Sequence, residues 1–435
     1  MAIGNISERR RREVIDALRR GVVPSTGLDL LAVGLGRFAA ALDDELATAA
    51  RGGSVFKAVR GEYGSGKTFF ARWLAERAKQ AGMAVAEVQI SETETPLHRL
   101  ETVYRRLCEN LETAQFVPSA LRSVIDTWMF TLEEDSLAIG VPEDELDPAV
   151  SALLEKRLAE VSRSAPAFAA ALRGYRAALA ASDSATAEAI LAWLGGQPHV
   201  AATAKRAAGV RGDLDHFGAL GFLQGLLIVL RDSGHPGLLL VLDEVETLQR
   251  IRSDVRDKAL NSLRQLVDEI DSGRFPGLYV LITGTPAFFS EGSQGVQRLA
   301  PLAARLATDF DTDARFDNPR AVQIRLPGFT QEGLLELGTR VRDVYAAGAS
   351  SRVPAVVDDA YVADLARAVA GSLGGKTGVA PRLFLKKLVG DVLDRVDQFP
   401  DFDPRAHYRL TMSTNELSEV ERNALSVDDV PLDLS

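Results

Sequence analysis

The stretch Gly61-Glu62-Tyr63-Gly64-Ser65-Gly66-Lys67-Thr68 decides how this chain is read. It fits the spacing G-x-x-x-x-G-K-[ST], and its flanks fit the same reading. "SVFKAVR" before it, residues 54–60, is apolar and β-branched enough for a short buried strand. "KTFFARWLAERAKQAG" after it sets Phe70, Trp73, Leu74 and Ala78 on one helical face and stops at Gly82. "MAVAEVQIS", residues 83–91, then reads as a second strand. Strand, glycine loop, helix and strand make a βαβ unit, which calls for a parallel sheet in a three-layer α/β fold. Glycines let the backbone turn so that successive N–H groups face phosphate oxygens, and the helix start adds the positive end of its dipole. Residues Gly61 to Thr68, with Phe69, are therefore expected to cradle a nucleotide. Lys67 would reach its β- and γ-phosphates, and Thr68 would offer its hydroxyl to Mg²⁺.

Such a loop needs a carboxylate at the end of a neighbouring strand. "GLLLVLDEVE", residues 237–246, is a continuous apolar run suited to the middle of a parallel sheet, and it ends in acids. Asp243 is expected to hold Mg²⁺ through water, and Glu244 to orient and polarise the attacking water. Glu246 is a competing carboxylate two residues on. Hydrolysis of a γ-phosphate is mostly positioning and charge neutralisation, so this pair matters more than any covalent nucleophile. A third strand, "GLYVLITGTP", ends in Thr283, Gly284 and Thr285. A hydroxyl there can bond the γ-phosphate or the water, with Thr285 the first choice and Thr283 the second. "GVQRLAPLAARLATDF", residues 295–310, offers Arg305, or else Arg298, to a neighbouring subunit's phosphate. "GVAPRLFLKKLV", residues 378–389, puts Arg382 at a helix start, placed to reach a nucleotide across a crevice.

The pattern divides the rest of the chain. Residues 1–50 read as an N-terminal helical linker, with Val14, Ile15 and Leu18 at helical spacing and a Gly/Pro break at "GVVPSTG". A core is expected over 51–330, interrupted by a wholly helical insertion at about 116–212. "VQIRLPGFT", residues 322–330, suits an edge strand and turn. Three helical segments then form a lid domain over 331–397, and 398–435 is left as an extended or partner-dependent tail.

At 435 residues the chain is long enough for two or three domains of roughly 150 residues each. Its one cysteine, Cys108, excludes an internal disulfide framework and suits a reducing compartment. The charged N-terminus lacks the apolar core of a signal peptide, and no run of 18 or more uncharged apolar residues occurs. A cytoplasmic protein with no membrane segment is expected. A net charge of −10 argues against a basic surface all round, while leaving room for a local basic groove.

Taken together, these motifs resemble the AAA+ superfamily of P-loop ATPases, and within it the Orc-type initiator branch. The core motifs span about 22–330, and the lid extends the likeness to about 397. "IDALRRGVVPSTGLDLLAVG", "GLLLVLDEVETLQR", "LITGTPAFF", "PLAARL" and "APRLFLKKLV" resemble, more narrowly, the BrxD-type ATP-binding proteins of BREX phage-defence systems. The long helical insert departs from a minimal initiator core. The resemblance implies an ATPase that works with ATP and Mg²⁺, as a homo-oligomer, on DNA, beside a helicase or other defence subunits. It implies that the terminal threonine of the third strand is a sensor 1 group, that Arg382 is a sensor 2 arginine, and that Val22 and Val23 pack beside the adenine. The other reading open to the sequence is an ATP-dependent switch or scaffold that turns over little.

Overall fold

In the computed structural model, which describes residues 6–373, 381–417 and 422, the run before the glycine loop is a strand, β1 (Val55–Arg60). The others are β2 (Ala84–Gln89), β3 (Leu111–Glu112), β4 (Leu238–Asp243), β5 (Leu278–Gly284) and β6 (Gln323–Arg325). They form one sheet in the order β3-β2-β4-β5-β1-β6. Every pairing is parallel except that of β3, a two-residue edge strand antiparallel to β2 that the sequence pattern does not reveal. Both β4 and β5 are buried along their whole length, as their unbroken apolar runs require of central strands covered on two faces. Register is level across the centre. Val59 of β1 lies opposite Thr283 of β5, Ile282 opposite Leu242 of β4, and Gln89 of β2 opposite Asp243. The glycine loop, the acids after β4 and the threonines of β5 therefore open at one edge.

Before the sheet lie α1 (Glu8–Arg20) and α2 (Gly36–Ala50), and α3 (Lys67–Gln80) follows the glycine loop. One face of the sheet packs on α2 and α3 through Phe38, Leu42, Phe70, Trp73 and Leu74. The other face, with Ala86, Leu240, Leu242, Val280 and Ile282, carries α4 (Leu100–Glu109) and then the inserted helices α5 (Leu121–Ala138), α6 (Leu146–Ser164), α7 (Pro166–Ala180), α8 (Ser184–Leu194) and α9 (Ala202–Ala207). The same core includes α10 (His216–Asp232), α11 (Ser253–Asp271) and α12 (Ala300–Arg305).

The insertion has no core of its own. Phe222 of α10 meets Tyr104 of α4, Phe168 of α7 and Trp193 of α8 edge-on, with ring centres 5.7, 5.2 and 5.3 Å away. Gly225 lets Phe168 come that close, since a Cβ there would stand 2.7 Å from its ring. Cys108 is buried in the same core.

A second core holds the lid: α13 (Gln331–Ala346), α14 (Arg352–Val356), α15 (Asp359–Ser372), α16 (Pro381–Lys386), a π-helical turn at Lys387–Leu393 and α17 (Asp394–Gln398). Here α1 departs from the expected linker. Its Val14, Ile15 and Leu18 belong to the lid core, and Arg19 forks onto Asp394 at 2.6 and 2.9 Å. Residues 21–35 then cross to the sheet. Glu76 of α3 takes the backbone N–H groups of Gly27 and Leu28, both at 2.9 Å, together with Arg10 at 2.8 Å. Trp73 donates to Asp29 at 2.7 Å. Nor is the chain after Gln398 an open arm as far as Leu417. Phe402, Tyr408, Leu410 and Met412 lie on the lid around the short α18 (Pro404–His407), Leu417 is buried, and Glu416 accepts Lys387 at 2.9 and 3.1 Å. Residues 418–421 and 423–435, the end of that expected tail, lie outside the described residues. Among the described residues no helix is long and apolar enough to cross a membrane.

Because the insert and the sheet share one core, truncating its central ring should be felt by both. Phe168→Ala is expected to cost about 3–5 kcal/mol, read as a lower denaturant midpoint. Unfolding followed at Trp73 on the far face of the sheet should shift with it.

Candidate nucleotide site

The loop after β1 is shaped by its glycines. Gly64 and Gly66 have φ of 82° and 91°, in the left-handed region that side chains resist. A Cβ on Gly61 would stand 2.2 Å from Ser65 Oγ. Gly66 caps α3 without a side-chain bond, so the first amides of that helix remain for a ligand. Lys67, the first residue of α3, is buried. Its Nζ donates to the Gly61 carbonyl at 3.0 Å and lies 3.4 Å from Glu246 Oε1 and 4.9 Å from the centre of the Tyr63 ring.

Asp243 ends β4 and is also buried. Thr68 Oγ1 donates to its Oδ2 at 3.0 Å, and the Thr283 hydroxyl donates to its Oδ1. The Glu244 N–H reaches that same Oδ1 at 3.1 Å and Thr283 Oγ1 at 3.2 Å. Thr68 and Asp243 thus place a hydroxyl and a carboxylate side by side, an all-oxygen set of the kind that suits Mg²⁺ completed by water and phosphate. Among the described residues no cluster of three or more acidic, His or Cys side chains could hold a metal without such help.

Glu244 has φ 60° and ψ 42°, a left-handed conformation uncommon outside glycine. This turns the chain out of the strand. Its carboxylate accepts Gln89 Nε2 at 2.9 Å, a contact that follows from the pairing of Gln89 with Asp243. The turn Val245–Gln249 then carries Glu246 back inward, where it is buried. Neither of its oxygens accepts a hydrogen bond. Burial pushes the Glu246 carboxyl above the usual range, partly opposed by Lys67.

These residues face a cavity of about 330 Å³ between the sheet and the lid. The polar part of its wall is Tyr63, Gly64, Gly66, Lys67 and Thr68 with Glu244 and Glu246. The apolar part is Leu18, Val22, Val23, Leu31, Phe329 and Leu337, with Phe329 beside Gly66. Phe69 lines it as well, and from the lid come Arg382 and Leu385. Arg382 also donates to the Glu416 carbonyl at 2.7 Å, while residues 378–380 before it lie outside the described residues.

Not every expected residue converges here. Thr283, not Thr285, reaches the carboxylate of β4, because the strand register sets it beside Asp243. Thr285 lies past the strand end and accepts the Phe288 N–H at 3.4 Å. Arg305 and Arg298, expected to serve a neighbouring copy's phosphate, lie outside the wall of this chain's own cavity. Arg305 is paired with Asp268 at 2.7 Å and Asp271 at 2.6 Å, and Arg298 with Asp257. Two groups that sequence reasoning either omitted or set aside, Gln89 and Glu246, do belong to the site. Strand register places the first and the turn after β4 the second.

Thr283→Val should cost about 1–3 kcal/mol in denaturant unfolding, since it strips a partner from a buried carboxylate. Thr285→Val, at a weak turn contact, should cost less.

No curated protein and no solved structure matches this chain. The family described as BREX system ATP-binding protein BrxC/D matches residues 6–412, a span that includes the linker, the sheet, the inserted helices and the lid. A glycine loop, its facing carboxylates and a lidded cavity sit inside that match, and the chain belongs to the BREX system ATP-binding protein BrxC/D family.

Proposed function

We propose that the chain hydrolyses ATP as a subunit of its phage-defence system, on the AAA+ plan. The observation that carries this reading is that one cavity touches Lys67 and Thr68 of the glycine loop, Glu244 at the end of β4 and Arg382 of the lid. The triphosphate would lie along Gly61–Thr68 with Lys67 on its outer phosphates. The base would lie against the apolar part of the wall, by Val22 and Val23. Thr68 and Asp243 would hold Mg²⁺, which when bound neutralises charge on the phosphate oxygens. Thr283 fixes the orientation of Asp243, and Glu244 would orient the attacking water once Gln89 releases it. Thr285 would then act through the turn it begins.

A nucleotide bridging the sheet and Arg382 would report its state through the lid. Arg305, or Arg298, would serve the site of a neighbouring copy in a homo-oligomer after leaving its acidic partners on α11. DNA, a helicase and other defence subunits are the partners this reading assigns, in the cytoplasm.

A second reading is an ATP-bound switch with little turnover. The Gln89–Glu244 contact favours it, since it engages the water-orienting carboxylate in a hydrogen bond that competes with a bound water.

Steady-state phosphate release over a range of protein concentrations, with and without single- and double-stranded DNA, separates the two. A rate per subunit that rises with concentration or DNA supports the assembling ATPase. Flat, near-zero release despite ATP binding supports the switch. Lys67→Ala should abolish ATP binding. Glu244→Gln should keep ATP and lose about 10²–10⁴-fold in turnover, the usual contribution of a positioned acid–base group.

A further inference from the structure

Glu246 is a buried carboxylate in the wall of the pocket. It is 3% exposed, neither oxygen accepts a hydrogen bond, and Lys67 Nζ stands 3.4 Å from Oε1 without hydrogen-bond geometry. A buried carboxylate whose oxygens accept no hydrogen bond is costly to desolvate, and the Lys67 ammonium offsets part of that cost. Its place in the framework does not call for the charge. The turn Val245–Gln249 is built from backbone bonds such as Thr247 N–H to the Glu244 carbonyl at 3.1 Å, and from Val245 and Leu248 packed in the core. What the charge does face is Lys67, beside Tyr63 and Glu244 in the wall of the cavity.

The lysine is thus held at two points, by the Gly61 carbonyl and by Glu246. Both must yield when Lys67 turns to phosphate. The Gly61 carbonyl is neutral, and yielding costs it one hydrogen bond. An ionised Glu246 opposes incoming anionic oxygens, in a buried site where like charges repel strongly.

We propose that Glu246 is an internal counter-anion of Lys67 that regulates the nucleotide site, competing with phosphate so that nucleotide binds less tightly and leaves faster than the pocket would otherwise allow. The proposal rests on the reading that Lys67 takes the nucleotide's phosphates. Glu246 acts through Lys67 and is a positioning residue.

The test is calorimetric titration of the full-length chain with ATP and with AMP, on the wild type, Glu246→Gln, Lys67→Ala and the double variant, with thermal melting of each. Glu246→Gln is expected to bind ATP about ten-fold tighter, a modest share of what a like charge a few ångström away exerts at intermediate dielectric. It should change AMP affinity less, because AMP carries no β- or γ-phosphate. Lys67→Ala and the double variant should both fail to bind ATP measurably, and ATP binding regained in the double variant would overturn the proposal, since Glu246 would then act on phosphate without Lys67. ATP affinity unchanged or weakened in a folded Glu246→Gln protein would overturn the proposal. So would a Glu246→Gln protein that melts far below the wild type, which would make the carboxylate part of the framework. Equal ATP binding by the wild type and Lys67→Ala would instead refute the site assignment beneath it.

Discussion

Asp243 is a buried carboxylate with three donors on it, and the geometry of the pocket depends on that arrangement. Thr68 comes from the helix after the glycine loop, Thr283 from the adjoining strand, and the Glu244 N–H from the chain as it leaves β4. Hydrogen bonds to an ionised acceptor are stronger than neutral ones and are costly to break where water cannot replace them. One side chain thereby fixes the distance between the loop and the sheet, orients Thr283 and helps set the left-handed turn that sends Glu244 and Glu246 in different directions. The level register of β1, β4 and β5 brings these groups to one edge, and Asp243 holds them there.

A second constraint acts across the cavity. The first helix packs on the lid and the second on the sheet, so residues 21–35 form a bridge between two hydrophobic cores. Glu76 and Trp73 fasten that bridge to the helix that begins at Lys67, and Arg72 adds a bond to the Val23 carbonyl at 3.3 Å. The apolar wall at Val22 and Val23 is therefore supported by the same helix that presents Lys67 and Thr68. The apolar wall and the charged loop of the cavity are held by one element.

The sequence made some of this legible because it is local. A glycine loop between an apolar strand and an amphipathic helix has its geometry written into eight consecutive residues, and "GLLLVLDE" declares both a central strand and its acidic end. Other features are set by contacts far apart in the chain. Gln89 looks like any polar residue at a strand end until its pairing with Asp243 places it beside Glu244. The preference for Thr283 over Thr285 depends on which residue the register sets beside Asp243, and the spacing alone allows either. Val14, Ile15 and Leu18 reveal an apolar helical face but not that the lid would cover it. Residues after Gln398 look polar and unattached, yet the scattered Phe402, Tyr408 and Met412 find apolar partners in the lid.

Phe222 has a consequence for how separable this protein is. Because α10 shares one core with both the inserted helices and one face of the sheet, the insertion is not a cartridge that could be removed to leave a smaller fold behind. Excising residues 121–207 would uncover the aromatic side of α10 and leave Tyr104, Phe222 and the cavity vacated by Phe168 and Trp193 facing water. The boundary of the folding unit therefore lies outside the insertion. Any relative that lacks these helices must have rebuilt α10 to live without them.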